Sequence, residues 1–67
     1  MVNSVNIKNK MRTQGIKQKD VADIWKCALP TVSQKINNVR PMSLKEAEDL
    51  AKLTNIPDEK FSQYFFA

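Results

Sequence analysis

The chain is 67 residues long, with eleven basic and seven acidic side chains, one cysteine, no histidine and a formal charge of +4. A chain of this length buries only about 60% of the surface that its unfolded form exposes, so a single compact helical domain over residues 1–67 is the economical solution. One thiol excludes an internal disulfide, the lack of histidine removes the usual zinc and general-base constellations, and no apolar run approaches the roughly 18–20 residues of a membrane span.

The first helix is expected over residues 5–14, where Ile7 and Met11 share a face four residues apart. Asn3 or Ser4 supplies its cap, Gly15 suits the left-handed residue after its end, and Ile16 returns the chain to the core. The second helix covers residues 18–26, with Val21, Ala22 and Trp25 at helical spacing and the small Ala22 allowing another helix to cross closely. Trp25 is read as a core residue. Cys27, Ala28 and Leu29 form a short turn, in which Cys27 is a half-buried residue without the neighbouring base or second thiol that a redox sensor needs.

Pro30 fits the first position of the third helix, where its missing N–H costs nothing. Leu29, Val32 and Ile36, separated by three and four, give that helix its expected buried stripe; it ends near Asn37, and Asn38 tolerates the left-handed conformation. Ser43 followed three residues later by Glu46 is a capping box that opens a fourth helix. Leu44, Ala47, Leu50 and Ala51 form its apolar face, and Asn55 closes it. Pro57, Asp58 and Glu59 then begin a last helix that carries Phe61, Tyr64, Phe65 and Phe66. Tyr64, Phe65 and Phe66 cannot all face inward on one helix, so at least one belongs on the surface or in a dimer interface.

Charge is unevenly placed along this all-α, five-helix layout. Residues 1–40 hold eight basic side chains against Asp20 and Asp23, a balance of +6, whereas residues 41–67 hold three basic and five acidic groups, a balance of −2. The positive half contains two short helices joined by a brief turn, the geometry that lets the second helix lie in a DNA major groove. With Leu29, Val32 and Ile36 inward, a rotation of about 100° per residue points Thr31, Gln34 and Asn38 outward, with Pro30, Lys35 and Asn37 on the flanks. No acid occurs from residue 27 to residue 40. Glutamine can pair bidentately with adenine, and threonine offers a hydroxyl and a methyl to thymine, while lysine and asparagine hold phosphates.

Taken together, five stretches resemble the Cro and lambda-type repressor class of helix-turn-helix regulators, especially small Cro-like proteins of phages of Gram-positive bacteria. They are Ile7-Lys8-Asn9-Lys10-Met11, Gly15-Ile16-Lys17-Gln18-Lys19-Asp20-Val21-Ala22, Thr31-Val32-Ser33-Gln34-Lys35-Ile36-Asn37-Asn38, Ser43-Leu44-Lys45-Glu46-Ala47-Glu48 and Tyr64-Phe65-Phe66. The resemblance implies a lambda-repressor-like bundle with its helix-turn-helix at the second and third helices, and bases read by Leu29, Pro30, Thr31 and Gln34. It further implies phosphate contacts from Gln18 at the start of the second helix and from Asn37, Asn38 and Arg40 after the third, and the cations Lys17 and Lys35 are added to the expected phosphate contacts. Lys26 and Cys27 stand where glycine followed by valine or isoleucine is usual, Ala28 replaces the common serine or threonine cap, and Asn38 replaces a glycine. Pro30 can donate no hydrogen bond, so it and Leu29 are limited to apolar contacts with bases.

The reading that follows is a sequence-specific, double-stranded DNA-binding transcriptional regulator that acts as a homodimer on a two-fold operator, with Tyr64, Phe65 and Phe66 the candidate interface. No cofactor, metal, membrane or small-molecule ligand is expected, and the expected location is the cytoplasm of a bacterial host, on the nucleoid when DNA is bound. The rival reading is a helix-turn-helix protein-interaction module, of antirepressor or antitoxin type, docking a protein. An enzyme ranks last, because no nucleophile with a base, paired carboxylates or metal cluster is evident.

Overall fold

Local signals set most helix boundaries. The Asn3 side chain accepts from the Asn6 N–H at 3.2 Å and starts α1 (Ser4–Gln14), which ends at Gly15 with φ of 70°. α2 (Gln18–Trp25) begins after Lys17, whose N–H donates to the Asp20 carboxylate at 2.8 Å. α3 (Leu29–Ile36) follows a three-residue turn, and α4 (Leu44–Leu53) starts at the expected capping box: Ser43 Oγ accepts from Glu46 N at 3.1 Å, and Glu46 Oε1 accepts from Ser43 N at 2.9 Å. A 3-10 turn (Asp58–Lys60) leads into the short α5 (Phe61–Phe65). The structure is a computed structural model that describes residues 1–66, and no strand occurs among the described residues.

Asn38 and Asn55 both take positive φ, 62° and 59°, as their short amide side chains allow. Lys26 does so too, at 56°, without the short amide side chain that eases this conformation in asparagine. The second helix therefore stops one residue earlier than the apolar pattern suggested, because Lys26 turns the chain where glycine would do so without a steric cost.

The core lies where the helices meet. Ile7 and Met11 of α1, Val21 and Ala22 of α2, Val32 and Ile36 of α3, and Ala47, Leu50 and Ala51 of α4 are buried with Val2, Ile56 and Phe65. The radius of gyration is 10.5 Å, close to the roughly 11 Å expected of a compact chain this long. Thr54, wholly buried, satisfies its hydroxyl on the Leu50 carbonyl at 2.7 Å. Trp25, read as core, is half-buried at the margin, with its indole Nε1 donating to the Glu46 carbonyl at 3.0 Å. Cys27 is half-buried, as expected of a turn residue.

Two residues of the expected apolar stripes lie outside. Leu29 is 50% exposed and Leu44 60% exposed. Each is the first residue of its helix and sits at a free end, beyond the residues that pack. Because α3 begins at Leu29, which the sequence placed in the turn, Pro30 occupies its second position rather than the first.

The N-terminal segment is tied down by hydrogen bonds rather than by burial alone. Asn3 N donates to the Tyr64 carbonyl at 2.8 Å, Ser4 Oγ to the Ile36 carbonyl at 2.6 Å, and the Asn38 amide pairs with both backbone groups of Val2. These bonds join α1, the end of α3 and α5. No helix among the described residues is long and apolar enough to cross a membrane.

Candidate functional site

The four residues expected to read bases all lie on α3, but not with the expected exposure. Leu29 and Pro30 are exposed at its leading end, whereas Thr31 and Gln34 are half-buried along its flank. Asn37 and Arg40 are exposed beyond its C-terminus. The Gln34 carbonyl accepts from Val39 N at 2.8 Å and from Arg40 N at 3.2 Å, so the chain folds back and brings residue 40 against the last turn of the helix.

Two expected phosphate ligands are engaged elsewhere. Lys35 donates to the Glu46 carboxylate across the α3–α4 boundary, and its Nζ sits 5.8 Å from the centroid of the Trp25 ring, with the side chain only 16% exposed. It tilts to this side because Glu46 and Trp25 offer a carboxylate and a π-face on neighbouring helices, a partnership no helical wheel of α3 alone contains. Asn38 directs its amide to Val2, Oδ1 accepting from Val2 N at 2.9 Å and Nδ2 donating to Val2 O at 2.8 Å. Asn38 is thus a structural clasp. Asn37 directs Nδ2 to the Ser33 carbonyl at 2.8 Å, capping its own helix, although it remains exposed.

Burial raises the Glu46 carboxyl pKa, but the Lys35 hydrogen bond and charge, together with the bonds from Ser43, outweigh it and hold the group below its ordinary value of 4.5. Glu46 thereby caps α4, pairs with α3 and, through its carbonyl, holds α2. Three helices converge on one residue. This fixes α3 relative to its neighbours, which any readout by its side chains requires.

The helix starts differ in a way that bears on ligands. α1 and α4 have their first turns capped by Asn3 and Ser43, whereas neither Lys17 before α2 nor Ala28 before α3 supplies a side-chain acceptor. Free N–H groups at a helix N-terminus suit an anion. At α2, where the Asp20 carboxylate already accepts from Lys17 N, this end is flanked by an open groove of about 420 Å³, lined by Lys8, Arg12, Lys17 and Gln18 over Met11 and Ile16. Lys17 is exposed and Gln18 half-buried there. Lys8 and Arg12 were not singled out from the sequence. Their separation by four residues on α1 was the available signal, but only the turn of the chain at residues 15–17 brings them to one groove with Lys17 and Gln18.

The closing aromatics divide. Phe65 is buried, Tyr64 half-buried and Phe66 62% exposed. Phe61 lies 4.6 Å from Phe65 and 5.8 Å from Phe66 between ring centroids. Phe65 is therefore committed to its own core and is not free for an interface, leaving Phe66 and the edge of Tyr64. No group of three or more histidine, cysteine or acidic residues able to hold a metal occurs among the described residues. Comparison with protein-family models, with curated proteins and with solved structures returned no match for this chain.

Proposed function

We propose that this chain is a sequence-specific double-stranded DNA-binding regulator of transcription, of the Cro and lambda-repressor type, with α2 and α3 as its helix-turn-helix. The observation that carries this reading is α3 itself: a short helix with an exposed, uncapped leading end, in a stretch from residue 27 to residue 40 that contains no acid. Thr31 and Gln34 supply hydrogen-bonding groups for base edges, while Lys17, Gln18 and Arg40 hold the phosphate backbone. Lys8 and Arg12 add charge beside the start of α2. Lys35 and Asn38, bound within the fold, have no part in this assignment.

Size supports a dimeric mode. The longest dimension of one protomer is 29 Å, less than the roughly 34–36 Å between successive major-groove half-sites on one face of the duplex. One copy reaches one half-site, and two copies related by two-fold symmetry reach both.

The test is selection of bound sequences from a random duplex pool, followed by titration of the selected and scrambled duplexes over a salt series. A recurring two-fold site, bound at least about 10³-fold more tightly than scrambled DNA, is the expected result. Equal affinity for both duplexes at every salt concentration would refute the assignment. Tight binding to a co-purified protein without specific DNA binding at low salt would favour the protein-docking alternative.

A further inference from the structure

The leading end of α3 has an unusual chemistry for a surface that meets nucleic acid. Ala28, Leu29 and Pro30 are consecutive, all exposed and all apolar. Leu29 shows half of its surface to solvent although the core lies one turn away at Val32. Pro30 has no N–H, Ala28 has no side-chain polar atom, and the first hydrogen-bonding side chains on the helix, Thr31 and Gln34, are half-buried behind them. The edge is bordered by the exposed Lys26, and no acid lies between it and Arg40, so the surroundings favour a polyanion over an apolar protein surface or an acyl chain.

A helix presented to the major groove by this end meets donors and acceptors from every base pair, and only one kind of apolar group: the C5-methyl of a pyrimidine. Resting on the DNA-binding reading above, we propose that Leu29 and Pro30 form a methyl-reading edge. It recognises a C5-methylated pyrimidine, thymine or 5-methylcytosine, by the methyl group rather than by the Watson–Crick identity of the base. A cytosine at that position would then make occupancy responsive to its methylation.

The consequences can be measured with the intact protein and altered DNA. In fluorescence titrations on the selected site, each thymine is replaced singly by deoxyuridine, which removes the methyl and leaves every hydrogen-bonding group in place. At the position under α3 in each half-site the substitution should weaken binding on the order of fourfold, the equivalent of one buried methyl group, and be neutral elsewhere. At that same position 5-methylcytosine should bind on the order of fourfold more tightly than cytosine. Leu29→Ala should abolish both differences, so that the variant binds the thymine and deoxyuridine sites alike and the cytosine and 5-methylcytosine sites alike.

Specific binding with no deoxyuridine penalty at any position would overturn the methyl-reading edge and leave the DNA-binding assignment standing. A penalty that survives unchanged in both Leu29→Ala and Pro30→Ala would overturn the role of these residues. Failure to bind any selected duplex would overturn both proposals together.

Discussion

Lys35 on α3 and Glu46 on α4 form an ion pair whose two side chains are 16% and 20% exposed, and Trp25 of α2 closes over it by a cation–π contact and a hydrogen bond to the Glu46 carbonyl. The pair joins the helix that carries the candidate reading face to the helix beneath it. Lys35→Met, which keeps most of the aliphatic stem, should leave a half-buried carboxylate without its cation and cost about 1–3 kcal/mol in urea unfolding. Because the Glu46 pKa is lowered in the folded state, its contribution is intact above the unfolded value near 4.5, declines as pH falls below it, and is gone beneath the folded value. Glu46→Gln should flatten stability against pH in that acid range, and an unaltered profile would deny the pair its role.

For the proposed DNA binding, the same geometry gives two cations different expected roles. Arg40→Ala should reduce the slope of log affinity against log salt by about one and weaken selected and scrambled duplexes alike. Lys35→Met should leave that slope unchanged, since its ammonium is held by Glu46. Gln34→Ala should cost about 1–3 kcal/mol on the selected duplex and little on scrambled DNA. Equal losses on both duplexes for Gln34→Ala would remove it from base reading.

Asn38 combines a left-handed backbone, φ of 62°, with two hydrogen bonds to Val2. Asn38→Ala should lose both bonds and add left-handed strain, for a total of about 2–4 kcal/mol, whereas Asn38→Gly loses the bonds alone, about 1–2 kcal/mol. Chemical denaturation measures the order of the two variants. Hydrogen exchange at the Val2 amide should accelerate in both.

Phe65 and Phe66 are adjacent yet opposite in burial, 4% and 62% exposed. Phe65→Ala should destabilise the folded chain by about 3–5 kcal/mol. Phe66→Ala should be nearly silent in unfolding and, where the second copy packs on this face, weaken cooperative occupation of two half-sites. Sedimentation and titration on single and paired half-sites distinguish the two effects.

Much of this architecture was legible because its signals are local. Gly15, the Ser43–Glu46 box, and Asn38 and Asn55 each mark a helix boundary within a few residues, since capping and left-handed turns depend on chemistry at one position. The apolar spacing of Ile7 and Met11, of Val32 and Ile36, and of Ala47, Leu50 and Ala51 located the core faces for the same reason. What one helix's periodicity cannot contain is its neighbour. Leu29 and Leu44 continue apolar stripes on paper but stand at helix ends with nothing above them, while Lys35, polar by composition, finds an acid and an indole across two helix boundaries. The amino-acid sequence thus determined where helices start, stop and turn inward, and that residues 27–40 carry no acid. Tertiary structure alone decided which side chains remain free to meet a ligand: Glu46 takes the half-buried Lys35, and the backbone of the buried Val2 takes the amide of the exposed Asn38, because polar groups withdrawn from water must find partners wherever the fold places them.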